Sequence, residues 1–491
     1  MIKKSHHNGG YLLIQVLVFG AVAIVIIGGL VAFAAANAKL GRHIVSSERA
    51  FQMAEAGLEY YRWHLAHAPS DYTDGTGAAG PYVKNFYDRN GVLKGTFTLT
   101  ITPPPLGSTL VTIQSVGVPI EDTNIKRTIV SRLAIPSFAN FAAVADANMR
   151  FGSGTEVFGP VHSNFGVRFD GLAHNLVTSH LSSYDDLVHD DSGAEKLEFG
   201  VHTHVNPPPG SGYNSNYRPL ETPPNPVQAR TDVFIAGRSF PAPEIIFADI
   251  NGDLTQMKID AQPGVGGLYF ASSTVAGYKI VLKTNDTLDL YKVNNLRTFT
   301  PSSCSDTDGT WTASTTVLMG NYPFPANGLV FLEDHVWVEG TIDTARLTIV
   351  AARMPDPGAG NRKSMTINND VLYTNYNGTD ALALIGQNNV NVGFYSEDNL
   401  RIDAALVAQN GRVGRFQYED TDCTPYRTRS TITPYGTIVT ALQYGFAYGD
   451  PVTNGYSFRN LIYDSFFLYN PPPFFPKTED FHEVISWKEI E

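Results

Sequence analysis

The chain has 491 residues, 43% hydrophobic and 11% aromatic, which excludes a disordered protein and gives length for about three average domains. Its formal charge is −12, so it lacks the cationic surplus of a nucleic-acid-binding surface. Its two cysteines, Cys304 and Cys423, stand far apart with no adjacent histidine, which excludes a local cysteine metal motif.

The chain opens with Lys3 and Lys4, reaches Gly9-Gly10-Tyr11, and then runs apolar from Tyr11 to Ala36, interrupted only by Gln15. A helix over this run would be ~39 Å long at ~1.5 Å per residue, enough to cross a hydrocarbon core of ~30 Å. A cleaved secretory signal, cut near Ala34-Ala35-Ala36, fits poorly, because such signals carry an apolar region of only ~7–15 residues. A single-pass anchor with its basic end inside fits better. Further on, Leu40, Ile44, Phe51, Ala54, Leu58, Tyr61 and Leu65 recur at helical steps and mark one apolar stripe. The helix is therefore expected over 11–68, with 11–36 in the membrane and the rest laid on a globular domain. Glu55 and Glu59 read as a solvated face. Pro69 and the polar run from Ser70 to Gly75 end the helix.

Two stretches at the right distance in one helix resemble the type IV pilin-like proteins, specifically the PilX-like minor pilins. One is the basic leader Met1 to Gly10; the other is Ala50-Phe51-Gln52-Met53-Ala54-Glu55-Ala56-Gly57-Leu58-Glu59. The resemblance implies cleavage between Gly10 and Tyr11 by a prepilin peptidase, with the helix retained and packed among other pilin subunits. Loss of residues 1–10 takes the formal charge from −12 to −14. One position departs from the family. Major pilins carry Glu at the fifth position after cleavage, and here that position is Gln15. Gln accepts a hydrogen bond but cannot neutralise a neighbouring subunit's terminal amine. Either Gln15 is a tolerated polar residue near the membrane edge, or the subunit is rare or terminal, with no subunit above it.

After the helix, 95–102, 109–116 and 125–134 alternate as half-buried strands. They predict a small antiparallel pilin-like sheet in a domain spanning 69–136. From 137 onward, short apolar runs such as Gly328–Leu332, Arg346–Val350, Asp380–Ile385 and Ala405–Ala408 alternate with turns containing Asn368-Asn369, Asn388-Asn389 and Asn410-Gly411. This texture suggests a right-handed parallel β-helix (solenoid) head over 137–443, with 180–230, 244–293 and 300–316 as insertions or widened rungs. A β-sandwich is the rival. The aromatic-rich segment 444–491 is expected to cap the last rung. The fold class is thus mainly β with one long N-terminal α-helix.

Few residues suggest chemistry. Asp249, Asn251 and Asp253 open like a calcium loop, but Leu254 stands where Gly is required and Asp260 replaces the bidentate Glu, so a turn is the favoured reading. His202 and His204 would share one face of a strand, with Asp190 and Asp191 near in sequence. The adjoining Pro207-Pro208-Pro209-Gly210 suggests an exposed loop, so no metal and no cofactor are expected. Cys304 and Cys423 lie on the non-cytoplasmic side by charge orientation and are expected to be bridged. No nucleotide loop, zincin motif or Gly-x-Ser-x-Gly elbow occurs, and no enzyme is expected.

The sequence reading is a minor pilin or pilin-like structural subunit. It would sit in the cytoplasmic membrane by one pass with its head extracytoplasmic, and at the cell surface or in the pilus after assembly. Its partners would be the membrane, the prepilin peptidase, other pilin subunits and a surface polysaccharide or host-cell ligand, not nucleic acid. The alternative is a membrane-anchored carbohydrate-active β-helix enzyme or polysaccharide-binding surface protein. A cleft with converging carboxylates on the head would distinguish the enzyme.

Overall fold

A computed structural model describes residues 9–104, 108–186, 197–208, 221, 223, 226–247, 250–449 and 451–490. They separate into two units: 1–103 with 111–133 and 484–491, and 104–110 with 134–483.

In the first unit, α1 (Gly9–His67) is one uninterrupted helix. It is followed by β1 (Tyr82–Tyr87), β2 (Leu93–Thr102), β3 (Val111–Pro119) and β4 (Arg127–Ala134). They form one sheet in chain order, antiparallel from β1 to β4, with the C-terminal strand Glu483–Ile490 beside β4. Strand β3 alternates strictly between buried and half-buried residues, because one face meets the helix and the other meets solvent. The sheet thus holds the three expected strands plus β1 and the C-terminal strand.

Apart from 104–110, the second unit is carried by residues 134–483, between β4 and that C-terminal strand. Most of its strands pair in parallel. One ladder runs from Leu268–Phe270 through Leu329–Leu332, Arg346–Ala351, Ala381–Gly386, the end of Asn399–Ala408 and the end of Thr428–Thr440. It continues through Ala143–Ala145, Val161–Ser163 and Val177–Ser179 to Arg238–Ser239. A second ladder joins Gly277–Lys283, Val336–Ile342, Val371–Tyr373, Asn399–Ala408, Thr428–Thr440, Asn454–Tyr463, Thr155–Phe158 and Leu172–Ala173. Shorter parallel stacks join Val336–Ile342, Met365–Thr366, Val390–Val392 and Val413–Arg415, and, separately, Met149–Phe151, Val167–Phe169 and Val201–His202.

The stacking order is not the chain order. The chain enters the stack in its middle, at Ala143, and advances to one end at Ser239. It resumes at the opposite end, at Leu268, and returns to the middle at Tyr463. Entry and exit then lie together: Phe138 N donates to Pro476 O at 3.3 Å, and Thr478 N donates to Pro136 O at 3.0 Å. The segment 444–491 is therefore not a cap. Asn454–Tyr463 has a parallel neighbour on each side, so it is an interior strand, and Glu483–Ile490 belongs to the first unit.

The apolar runs are continuous because their strands are buried on both faces. Val330, Leu332, Ile349, Leu384 and Leu406 point into the main core. Leu329, Phe331, Val350, Ile385 and Val407 point outward, under Leu254 and Met257 of α2 (Ile250–Asp260) and under Phe467 and Phe475. The turn expected at Asp249, Asn251 and Asp253 gives way over 250–260 to a helix whose apolar side closes the outer face. Asp249 and the side chains of Asn251 and Asp253 lie outside the described residues. The asparagines bond between strands: Arg412 N donates to Asn389 Oδ1 at 2.9 Å, and Asn410 Nδ2 donates to Gln387 O at 2.8 Å.

Candidate functional site

The first candidate is α1 itself. From Tyr11 to Phe33 its large apolar side chains are exposed all round, and none of its apolar window is buried. Among the described residues it is the one helix long and apolar enough to cross a membrane. Gln15 is exposed in this run, four residues after Tyr11.

Burial begins at Ser46 and then follows Ala50, Met53, Ala54, Gly57, Leu58, Tyr61 and Leu65, all on the sheet-facing side. Five of these lie in the Ala50–Glu59 signature, and small residues at 50, 54 and 57 explain it physically. A Cβ at Gly117 of β3 would lie 2.6 Å from Ala54 N and closer still to Ala50 O, so strand and helix backbones are nearly in contact. A Cβ at Gly57 would meet the Phe97 ring at 2.9 Å and, more closely, Ser115 Oγ. The expected stripe needs correction at its start, since Leu40 and Ile44 are each 58% exposed. They precede the residues that the sheet reaches.

Polar contacts fix the edges of this unit. Arg49 pairs with Glu121 at 2.5 Å, and Arg127 reaches both Ser47 Oγ and the carboxylate of Glu489. Beyond the helix, the Asp71 carboxylate accepts from Thr73 Oγ1, Thr73 N and Gly75 N, and these bonds, the Thr73 hydroxyl foremost, hold its pKa down to about 2. Tyr60 and Lys84 both bond Asp74, at 2.9 and 2.7 Å, closing the turn onto the sheet.

In the second unit, Cys304 and Cys423 form a disulfide with Cα atoms 4.7 Å apart. Both are buried with Phe394, Phe416 and Tyr418, so the polar sequence around them conceals an aromatic cluster.

Asp403 and Asp464 are two buried carboxylates that interact electrostatically. Asp403 accepts from Arg401 Nε, Tyr373 N and Tyr376 Oη. Asp464 accepts from Phe466 N at 3.0 Å, and burial raises its pKa to about 6. Each is engaged by the fold around it. A cavity of about 390 Å³ is lined by Arg150, Arg412, Arg459, Tyr444 and Tyr448. Arg459 donates to the carbonyls of Gly152, Ser153, Tyr456 and Ser457, which leaves its guanidinium committed to the backbone. Sequence reading missed this cavity because the stack brings Arg150 and Arg459 together from opposite ends of the unit.

The His202 and His204 expectation also needs correction. His202 is fully buried and His204 partly so, and Asp186 comes beside them. Asp190 and Asp191 lie outside the described residues. Residues 197–202 return to the core in short strands, so the exposed-loop texture of this region stops before the histidines.

No family model matches the sequence, and no curated protein matches it. Among solved structures the chain is similar to the competence-associated pilin ComZ from Thermus thermophilus, at 14% identity and a TM-score of 0.30, covering 91% of this chain and 97% of that one. At that score the likeness carries no argument about fold or function.

Proposed function

We propose that the chain is a minor pilin or pilin-like structural subunit, PilX-like in its helix, that inserts in the membrane by residues 11–36 and presents a large head outside the cytoplasm. The observation that carries this reading is the division of α1. Its first half is apolar and unburied, while its second half is packed through small residues onto an antiparallel sheet. A helix apolar on all sides needs lipid or other apolar helices around it. The same helix can therefore anchor the subunit first and join a bundle of pilin helices later. The parallel ladders support reading the head as a right-handed β-solenoid. A surface polysaccharide or host-cell ligand is its expected partner.

Processing by a prepilin peptidase would cut between Gly10 and Tyr11. N-terminal sequencing of protein recovered from membranes that contain such a peptidase should begin at Tyr11. A start at Asn37 or Lys39 would overturn the assignment, because it would remove the apolar half of the helix. At Gln15 the reading is a rare or terminal position in the filament. Gln15→Glu should raise the amount recovered in sheared filaments, and equal recovery would count against that placement.

A further inference from the structure

The connection that brings Asp186 beside His202 is built from close backbone approaches. Ser183–Asp185 pairs antiparallel with Leu197–Phe199. Gly200 follows; its N–H donates to Ser182 O at 3.0 Å, and any Cβ there would collide with Leu181 O. Gly166 makes room in the same way for the Tyr184 ring, which lies 5.5 Å from the His202 ring. The next strand, Val201–His202, pairs in parallel with Val167–Phe169. The two-residue step then carries His202 and His204 to one side, with ring centroids 5.0 Å apart. Asp170 fixes the second histidine: its Oδ1 accepts from His204 N at 2.8 Å, while its Oδ2 accepts from Arg168 Nε at 2.6 Å.

The outcome is that one ligand atom from each of Asp186, His202 and His204 lies within 4.8 Å of the other two. His202 Nε2 and Asp186 Oδ2 are 3.4 Å apart. Two donors bound to one tetrahedral ion at ~2.1 Å are separated by ~3.4 Å, so this pair already has the spacing of shared coordination. The other separations in the triad stay within the same 4.8 Å limit.

We propose that Asp186, His202 and His204 bind one divalent ion of the zinc class. Two imidazoles with one carboxylate suit zinc and its transition-metal neighbours, whereas calcium and magnesium take oxygen ligands. Three protein ligands leave the fourth position to water or another donor. The ion would clip the end of Ser183–Asp185 to the segment after Val201–His202. The site lies wholly in the second unit and does not depend on the pilin reading.

The test uses the untagged full-length chain in detergent, with His6 and His7 replaced by Ala in every form so that the N-terminal histidines cannot bind metal. The protein is stripped with chelator and titrated with Zn²⁺ by calorimetry. The expected result is one equivalent bound, with affinity at least tenfold weaker in His204→Gln and in Asp186→Asn. Zn²⁺ should also raise the melting temperature of the parent protein and of neither variant. A folded parent protein without saturable uptake overturns the proposal, as does unchanged uptake in both variants. If the variants fail to fold by circular dichroism, Co²⁺ in the parent protein decides. The visible bands of a four-coordinate nitrogen–oxygen site support the proposal, and the spectrum of hydrated Co²⁺ overturns it.

Discussion

Gly117 is where the contact between α1 and its sheet can be tested most sharply. An added Cβ there would stand 2.6 Å from Ala54 N and closer to Ala50 O, against an ordinary contact of at least 3.4 Å. Both obstacles are helix backbone, so no side chain can rotate to make room; helix and sheet must separate by about 0.8 Å or more, in a core packed to crystal-like density. Overpacking costs ~1–3 kcal/mol, and a clash with backbone belongs at the upper end. Replacing Gly within a strand returns ~0.5–1 kcal/mol of chain entropy. Gly117→Ala should therefore destabilise the first unit by ~2–2.5 kcal/mol, or roughly 10–20 °C in melting temperature for a module of this size. Gly57→Ala provides the contrast. Its Cβ meets Phe97 and Ser115 side chains, which can move, at a cost of about 1 kcal/mol. Helix propensity favours Ala over Gly by ~0.8–1.0 kcal/mol, so the net change should be near zero. A thermal ramp of the detergent-solubilised chain, followed by trypsin and mass spectrometry of the β1–β4 peptides, reads both variants. If Gly117→Ala melts with the parent protein, or is less damaging than Gly57→Ala, the close-approach argument is wrong.

Three further outcomes are expected. Replacing Cys304 and Cys423 together by Ala should lower the stability of the second unit by ~4–5 kcal/mol on the chain-entropy account, since the bridge closes a separation of 119 residues; denaturant unfolding in non-reducing buffer measures it, and an unchanged midpoint would show that the unfolded chain is not constrained by the bridge. Asp464 has a folded pKa of about 6 against 3.8 for the free carboxyl, so its contribution is complete below about 3.8 and is lost as pH rises through 6. Asp464→Asn keeps an oxygen for Phe466 N, and its stability relative to the parent protein should grow by ~1.4 kcal/mol from pH 5 to pH 8; a difference independent of pH would refute the assignment. Met257→Ala, at the interface of α2 with the outer face of the first ladder, should cost ~2–5 kcal/mol by denaturant unfolding, and a loss under 1 kcal/mol would mean that α2 is not part of that core.

The sequence by itself determined the elements whose physics is local. A long apolar run without Pro makes a helix wherever it is placed. Strict alternation in Thr96–Thr102 makes a strand with one buried face. The small residues of Ala50–Glu59 announce that something approaches the helix closely, though not what. The tertiary structure decided everything that depends on distant partners. Parallel pairing joins strands by register rather than by a local turn, so no sequence pattern tells that Ala143–Ala145 lies beside Thr428–Thr440, nor that the chain enters its own stack in the middle. Asp249, Asn251 and Asp253 read as a turn, whereas Leu254 and Met257 gain their value only once the outer face of the ladder is there to be covered. The three candidate ligands were split in the same way. His202 and His204 were legible as a pair by their spacing, but Asp186 joined them through Gly200 and a strand pairing, and the burial that removes them from the surface belongs to the folded chain alone.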